Sequence, residues 1–517
     1  MPRFTLTPFR RSLPAEGAAQ PVAPNQNDLN AVNQHDELTL PLTSTGDVEE
    51  ARSRWLTLEW WRSLLQSRVL LPLLLFVIAL GLYLPRITYP EKYLFDEILF
   101  AYTAGEYAAG NADAYLWNHQ CSVRKSDAKC AKINPNAVRN GRVGKYQWAH
   151  PPLGKYFIAG GILLFGNNTF GWRIASALCG AIGIVIAYQI GLTLTKRRII
   201  GILTAGLLLL DGLYFVYSRM GLIDIFVTVI MMSALLAFAG YLRAPPDRIR
   251  WPLFVTGMLL GMGVSTKWNS GYAAACIGIV ILWRFFRLLH ASRREDAAPE
   301  LRKAFREHLV WLPITLGVVP AAVYILAYAP FFIKGGYSLT EFVELQQVML
   351  RLQTTIQDTP GGASRWWQWP LALRPVWFGD RSFTDGRIAT TYANGNPLLY
   401  WAFLPAIPWL CIHWWRQRNP AGIVLVIGFF GQWLPWILVE RSAFAYHFLP
   451  AVPFGCLAVA VAVDHLWRAN TGWRRMLAIE YVVLVAIAFV FFYPIYAYLP
   501  ISERALGLRM WLPSWPH

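Results

Sequence analysis

The sequence predicts an all-α polytopic membrane protein with about eleven transmembrane helices and two long outer-face loops. Three observations predict it. Of 517 residues, 55% are hydrophobic and only 15% charged, whereas a soluble domain carries roughly 25% charge. Mean hydropathy is +0.35, so the polar material cannot cover the surfaces of two or three soluble domains. Finally, the basic residues gather in alternate connections between apolar stretches, as the positive-inside rule requires.

Residues 1–54 are polar and rich in Pro, Asn, Gln and acids. They lack a basic segment leading directly into an apolar core, so a disordered cytoplasmic segment is expected rather than a cleaved signal peptide. Trp55, Trp60 and Trp61 suit a short interfacial helix over 55–66. The transmembrane domain is expected over 55–498, with 499–517 an exterior tail. Apolar stretches follow at 69–85, 173–194, 199–213, 221–242, 251–265, 270–286, 309–329, 398–414, 422–439, 445–466 and 477–497. Several fall short of the roughly 20 residues of a straight span, so their ends are loosely defined. A shorter stretch, 153–166, follows Pro151-Pro152.

Charge decides whether 153–166 spans. If it lies along the interface and the N-terminus is cytoplasmic, the inner loops hold eighteen basic residues. Lys196, Arg197, Arg198, Arg243, Arg284, Arg416, Arg468 and Arg474 are among them. The short outer turns hold three, Arg219, Lys267 and Arg441. Were it a span, the first inner loops would be inverted, against the rule. Most of the net charge of +17 is thereby explained without nucleic acid.

Segments 86–152 and 330–397 then face outward, as long loops without obvious regular structure. Such loops often carry function. Cys121 and Cys130 lie in the first, where a disulfide can form. Cys179, Cys276, Cys411 and Cys456 fall in apolar stretches, without metal-ligand spacing. No internal repeat is evident, which weighs against a transporter.

Polar residues collect at the outer ends of the stretches, where they are costly unless used. Asp96 and Glu97 open an amphipathic stretch. His150 and Lys155 begin the interfacial segment, and Arg173 begins the second span. Asp211, Arg219 and Asp224 bracket one outer turn, and Lys267 sits in the next. Arg374 and Asn396 lie in the second long loop. Each has a plainer reading: a helix cap, a snorkelling cation, or an Asp224–Arg219 ion pair. Jointly they describe a polar cavity at one membrane face. Acids beside cations there suit a lipid-linked sugar phosphate. Cations hold the phosphate and stabilise it as it leaves, and a carboxylate takes the acceptor's proton. No Walker loop, dinucleotide fingerprint or HExxH is present.

The chain resembles the protein O-mannosyltransferases, of the GT-C glycosyltransferase fold. The resemblance rests on FDEILFAY (95–102), HPPLGK (150–155), FGWR (170–173), LDGLYFVYSRMGLID (210–224), TKWNSGY (266–272), SRWWQWPLALRPVWF (364–378), GNP (395–397) and YHFLPAVPF (446–454). It implies inverting transfer of mannose from polyprenyl-phosphate-mannose to Ser/Thr hydroxyls of secreted or membrane proteins, met during translocation. The enzyme would sit in the inner (cytoplasmic) membrane with its active site on the outer face, and use neither metal nor cofactor.

Asp96 would be the catalytic base, with Glu97 holding or orienting the acceptor. Arg173, Lys155, Arg219, Lys267 and Arg374 would bind the donor's phosphate and sugar. His150, Asp224 and Asn396 would shape the site. The second outer loop has no room for a β-trefoil domain, which implies a bacterial-type member. The family's Tyr-His pair before SRWWQWP is missing from 351–364. A lipid or polysaccharide glycosyltransferase of the same fold, such as an amino-sugar lipid A transferase, is the alternative.

Overall fold

The computed structural model describes residues 67–115, 137–139, 142–144, 148–245, 248–294, 298–355, 362–469 and 471–515, all within one unit over 65–517. The segment expected to be disordered (1–54), the helix expected over 55–66 and the Cys121–Cys130 pair lie outside the described residues.

The helices are α1 (Leu70–Tyr83), α2 (Glu97–Ala108), α3 (Leu153–Phe165), α4 (Thr169–Thr195), α5 (Arg198–Leu209), α6 (Gly212–Tyr217), α7 (Asp224–Arg243) and α8 (Arg250–Thr266). They continue as α9 (Gly271–Ser292), α10 (Pro299–Pro313), α11 (Val319–Ala327), α12 (Leu339–Thr355), α13 (Pro397–Arg416), α14 (Ala421–Trp433), α15 (Val452–Arg468) and α16 (Gly472–Tyr496). All eleven apolar stretches read from the sequence lie on helices. Among the described residues, eight helices are long and apolar enough to cross a membrane, and α1, α3 and α5 are shorter apolar ones. At 1.5 Å per residue, the 13 residues of α3 reach about 20 Å, short of a hydrocarbon core of about 30 Å.

Burial sorts these helices. The segment Ala445–Arg468 has 94% of its apolar window buried, whereas Pro299–Ala327 has 6%. The first is therefore the centre of the bundle and the second presents its side chains to lipid. Local chemistry sets the ends. Asn168 caps α4 by accepting from the Gly171 amide at 3.0 Å, and Lys196 closes it in the left-handed conformation (φ 62°). Asp211 caps α6 through the Tyr214 amide at 2.7 Å. The close packing of α3 on α4 requires glycine at 161, where an added Cβ would sit 2.5 Å from the Gly171 carbonyl oxygen.

The second long segment, 330–397, is more regular than the sequence suggested. It contains α12 and an antiparallel pair, β3 (Val376–Ser382) and β4 (Arg387–Ala393), after a separate short hairpin of β1 (Ala137–Arg139) and β2 (Arg142–Gly144). A bulge between Trp377 and Gly379 shifts the β3–β4 register. The expected exterior tail is likewise built in. Ile501–Ser502 forms β5, with Ile501 opposite Ile388 of β4. Buried Trp515 donates its indole N–H to the Ala372 carbonyl at 2.8 Å.

Helix direction separates two faces. α4, α7, α13 and α15 all begin near the Asp96 side and end together at the other, where α5 and α16 start. Their far ends carry the Lys196, Arg243, Arg416, Arg468 and Arg474 cations.

Candidate active site

Asp96 and Glu97 open α2 and are neighbours in sequence only. Successive residues on a helix turn differ by about 100°, and the two carboxylates enter different surroundings. Phe95, just before them, has φ 49°, a left-handed conformation that costs a non-glycine residue about 1 kcal/mol or more. Its ring stacks on Phe378 of β3 at 4.6 Å, which holds the turn.

Glu97 is fully buried. Oε1 accepts from Arg173 Nε at 2.8 Å and from the Gly221 amide at 2.7 Å. Oε2 accepts from Arg173 Nη2 at 2.7 Å and from the Leu94 amide at 2.9 Å. Arg173 donates further to the carbonyls of Ile87 (2.9 Å), Pro90 (3.3 Å) and Lys92 (3.1 Å). A guanidinium has five N–H donors, and protein acceptors take all of them. Arg173 therefore has none left for a phosphate, and Glu97 has little left for an acceptor. The pair ties α2, α4, the 85–92 loop and the 218–222 turn together, a structural role that the sequence did not assign to either residue.

Asp96 is half-buried, and its side chain makes no hydrogen bond or ion pair among the described residues. Burial first, and the Asp224 charge second, push its pKa up to about 6, with Lys267 pulling the other way. Asp224 is engaged: Lys267 Nζ donates to Oδ1 at 2.7 Å, with both side chains buried. Asp224 thus pairs with Lys267, not with Arg219. The Lys267 ammonium also sits 4.9 Å from the centre of the Tyr446 ring, which fixes a cation beside Asp96.

The other sequence-predicted residues divide. Arg374, exposed, lines a cavity of about 950 Å³ with Arg365, Arg441, Glu440, Trp366 and Trp436. Arg441 lies 5.6 Å from the centre of the Trp436 ring. Its charge, with those of Lys267 and Lys155, holds the His150 imidazole well below the usual range, after burial, the larger cause.

Lys155 is buried and donates to the His150 carbonyl at 3.1 Å. It faces an aromatic pocket with Tyr107, Tyr115, Tyr156 and Tyr328, and burial lowers its pKa to about 7. Arg219 donates to the Pro85 carbonyl and lies over Phe215, so it braces the loop after α1 instead of joining the cavity. Asn396 is a buried staple between helices. Its amide N–H reaches Asp211 at 3.1 Å, and its Nδ2 reaches the Leu210 and Val485 carbonyls at 3.1 and 2.9 Å.

Sequence reasoning missed Arg365, Arg441, Tyr446 and His447 as site residues. His447 is buried, 3.9 Å from the Trp436 ring and 4.4 Å from Tyr446, centre to centre. Arg365 and the Tyr446-His447 pair sit inside quoted motifs. Arg441 was visible as an outer-face cation that the positive-inside rule leaves unexplained.

Comparison with known proteins agrees with this architecture. Residues 164–334 match the family described as dolichyl-phosphate-mannose-protein mannosyltransferase. Residues 338–515 match the C-terminal four-transmembrane region of protein-O-mannosyltransferase. The polyprenol-phosphate-mannose–protein mannosyltransferase of Mycobacterium tuberculosis H37Rv is 27% identical over 423 residues, 71% of this chain and 80% of that protein. The protein of the same name from Corynebacterium glutamicum is 25% identical, over 71% and 81%. Among solved structures, a chain of the Saccharomyces cerevisiae Pmt1-Pmt2 complex bound to its sugar donor superposes with a TM-score of 0.67. It is 15% identical, over 88% of this chain and 94% of that one. ArnT of Cupriavidus metallidurans follows at 0.51 and 16%, over 85% and 74%. These likenesses show the GT-C fold.

Proposed function

We propose a function from the premise that this chain, a multi-pass membrane protein, belongs to the protein O-mannosyltransferase family. It transfers mannose from a polyprenyl-phosphate donor to Ser or Thr hydroxyls of proteins, at the outer face of a bacterial cytoplasmic membrane. The observation that carries the reading is the Asp96 carboxylate. Asp96 is unpartnered among the described residues and raised toward neutrality, and it lies beside the Asp224–Lys267 pair.

In this mechanism Asp96 accepts the proton of the acceptor hydroxyl. The hydroxyl oxygen attacks the anomeric carbon from the side opposite the phosphate. The bond from that carbon to the phosphate oxygen breaks, and the configuration inverts. Polyprenyl phosphate leaves with the bonding pair, so no general acid is required. Arg365, Arg374 and Arg441 supply charge-assisted donors for the phosphate. Lys267, held by Asp224, stabilises charge as it develops. Glu97 and Arg173 set the turn that presents Asp96.

Mass spectrometry of a synthetic Ser/Thr peptide, incubated with purified enzyme and a panel of polyprenyl-phosphate sugars, tests the reading. A hexose gained only with the mannosyl donor is the expected result. Transfer to a lipid but to no peptide would overturn the acceptor assignment. ArnT shares the fold at 16% identity, whereas the bacterial protein mannosyltransferases match over most of the chain at 25–28%.

Two further outcomes follow from the site. A base works ionised, so kcat/KM should rise through pH 6 and level off above about pH 7. A profile flat between pH 5 and 8 would contradict the Asp96 assignment. Arg441→Gln removes a charged hydrogen bond worth about 1.5–3 kcal/mol. It should raise KM for the lipid donor roughly ten- to a hundredfold, with a smaller change in kcat, as initial-rate measurements would show.

A further inference from the structure

A second basic cavity lies at the far ends of the helices, away from Asp96. It measures about 830 Å³ and its lining includes Lys196, Arg197, Arg243, Arg468 and Arg474. Its single acidic lining residue, Asp464, is buried and ion-paired with Arg197. The other cations face the cavity without a carboxylate from its lining to balance them. Arg243 reaches the Leu194 carbonyl at 3.4 Å through Nη2. Its Nη1 is buried and has no hydrogen-bond partner among the described residues.

This cavity adjoins an apolar one. Trp409 and His465 line both it and a groove of about 490 Å³ between α13, α15 and α16, whose walls include Ala402, Ala462, Val463 and Leu477. Trp409 stacks on His413 at 5.4 Å and meets His465 at 5.2 Å, forming an aromatic threshold between the polar and apolar parts. A cluster of cations that opens past a tryptophan into a hydrocarbon-facing groove has the shape of an amphiphile with an anionic head.

We propose that this is a binding site for an anionic phospholipid of the leaflet opposite the Asp96 site. The phosphate diester is held by Arg243, Lys196 and Arg468 through charge-assisted hydrogen bonds, and one acyl chain lies in the groove. A free phosphate would meet the cations and leave the groove unused. A zwitterionic lipid would fill the groove but bring its own cation toward the arginines.

The test uses the full chain, purified and equilibrated with equimolar phosphatidylglycerol and phosphatidylcholine of identical acyl chains, then examined by native mass spectrometry. One phosphatidylglycerol should be retained per protein, preferred about tenfold or more. Lys196→Gln/Arg468→Gln should cut that retention by about tenfold or more. Ala462→Phe, which fills the groove and spares every cation, should lower it too. Equal retention of the two lipids would overturn the proposal. So would displacement by inorganic phosphate at matched concentration, or retention of a polyprenyl phosphate in preference to phosphatidylglycerol. These competitions use the unsubstituted protein, so they decide the matter even if a variant fails to fold.

Discussion

Replacing Asp96 by Asn should reduce mannose transfer to a Ser/Thr peptide by about 10²- to 10⁴-fold, the usual contribution of general base catalysis. KM for the lipid donor should change little. The substitution isolates the chemistry unusually well. Asn is nearly isosteric with Asp, and the Asp96 side chain makes no hydrogen bond in the described structure that the change would break. The effect on stability has a definite sign. The folded pKa of about 6 lies above the unfolded value of about 3.9, so ionised Asp96 opposes folding at neutral pH. The Asn variant should therefore be at least as stable as the parent at pH 7. The difference should shrink as the pH falls through 6 and vanish below about 4. Single-turnover rates and a denaturation midpoint on the same preparation check both parts. Retained activity, or a loss of activity that merely tracks a lower midpoint, would remove Asp96 from the catalytic role.

The acidic pair Asp96-Glu97 was legible in the sequence as a candidate site, because two carboxylates at the end of a span have few cheap explanations. The division of labour within the pair was not. Nothing in the string Phe95-Asp96-Glu97 says which carboxylate is open. That depends on a left-handed Phe95 and on Arg173, 76 positions away along the chain. The same limit applies to the cations. Hydropathy and charge placed Arg219, Arg173, Lys267 and Arg374 at one face, but hydrogen-bond geometry decides which of them keep a donor free. Arg173 spends all its donors on Glu97 and three carbonyls, whereas Arg374 gives one to the Ala363 carbonyl and lines the cavity.

Periodicity located the helices well, because a span must be long and apolar to satisfy its backbone in lipid. It could not foresee the β3–β4–β5 sheet or the docking of Trp515. The third strand has only two residues and comes from more than 100 residues downstream.

Breaking the other half of the acidic pair should produce the opposite phenotype. Glu97→Gln should destabilise the protein by about 3–5 kcal/mol, the cost of leaving a buried charge without its partner. Four donors converge on the Glu97 carboxylate: the Arg173 Nε and Nη2 groups and the amides of Leu94 and Gly221. A Gln amide presents one acceptor oxygen and one donor group, so at least one N–H must face another N–H while the Arg173 charge stays buried. Arg173→Lys should cost a similar amount from the other side. An ammonium has three donors in place of five, too few for Glu97 and the carbonyls of Ile87, Pro90 and Lys92. The denaturation midpoint separates the two readings of this residue. If Glu97 touched the acceptor, Gln would keep the midpoint and lose kcat. As a positioning residue it should lower the midpoint first, and activity should fall with it because the 85–97 turn no longer holds Asp96. An unchanged midpoint with activity abolished would return Glu97 to the acceptor, and it would mean that the buried Arg173 guanidinium does not depend on Glu97 for its charge balance.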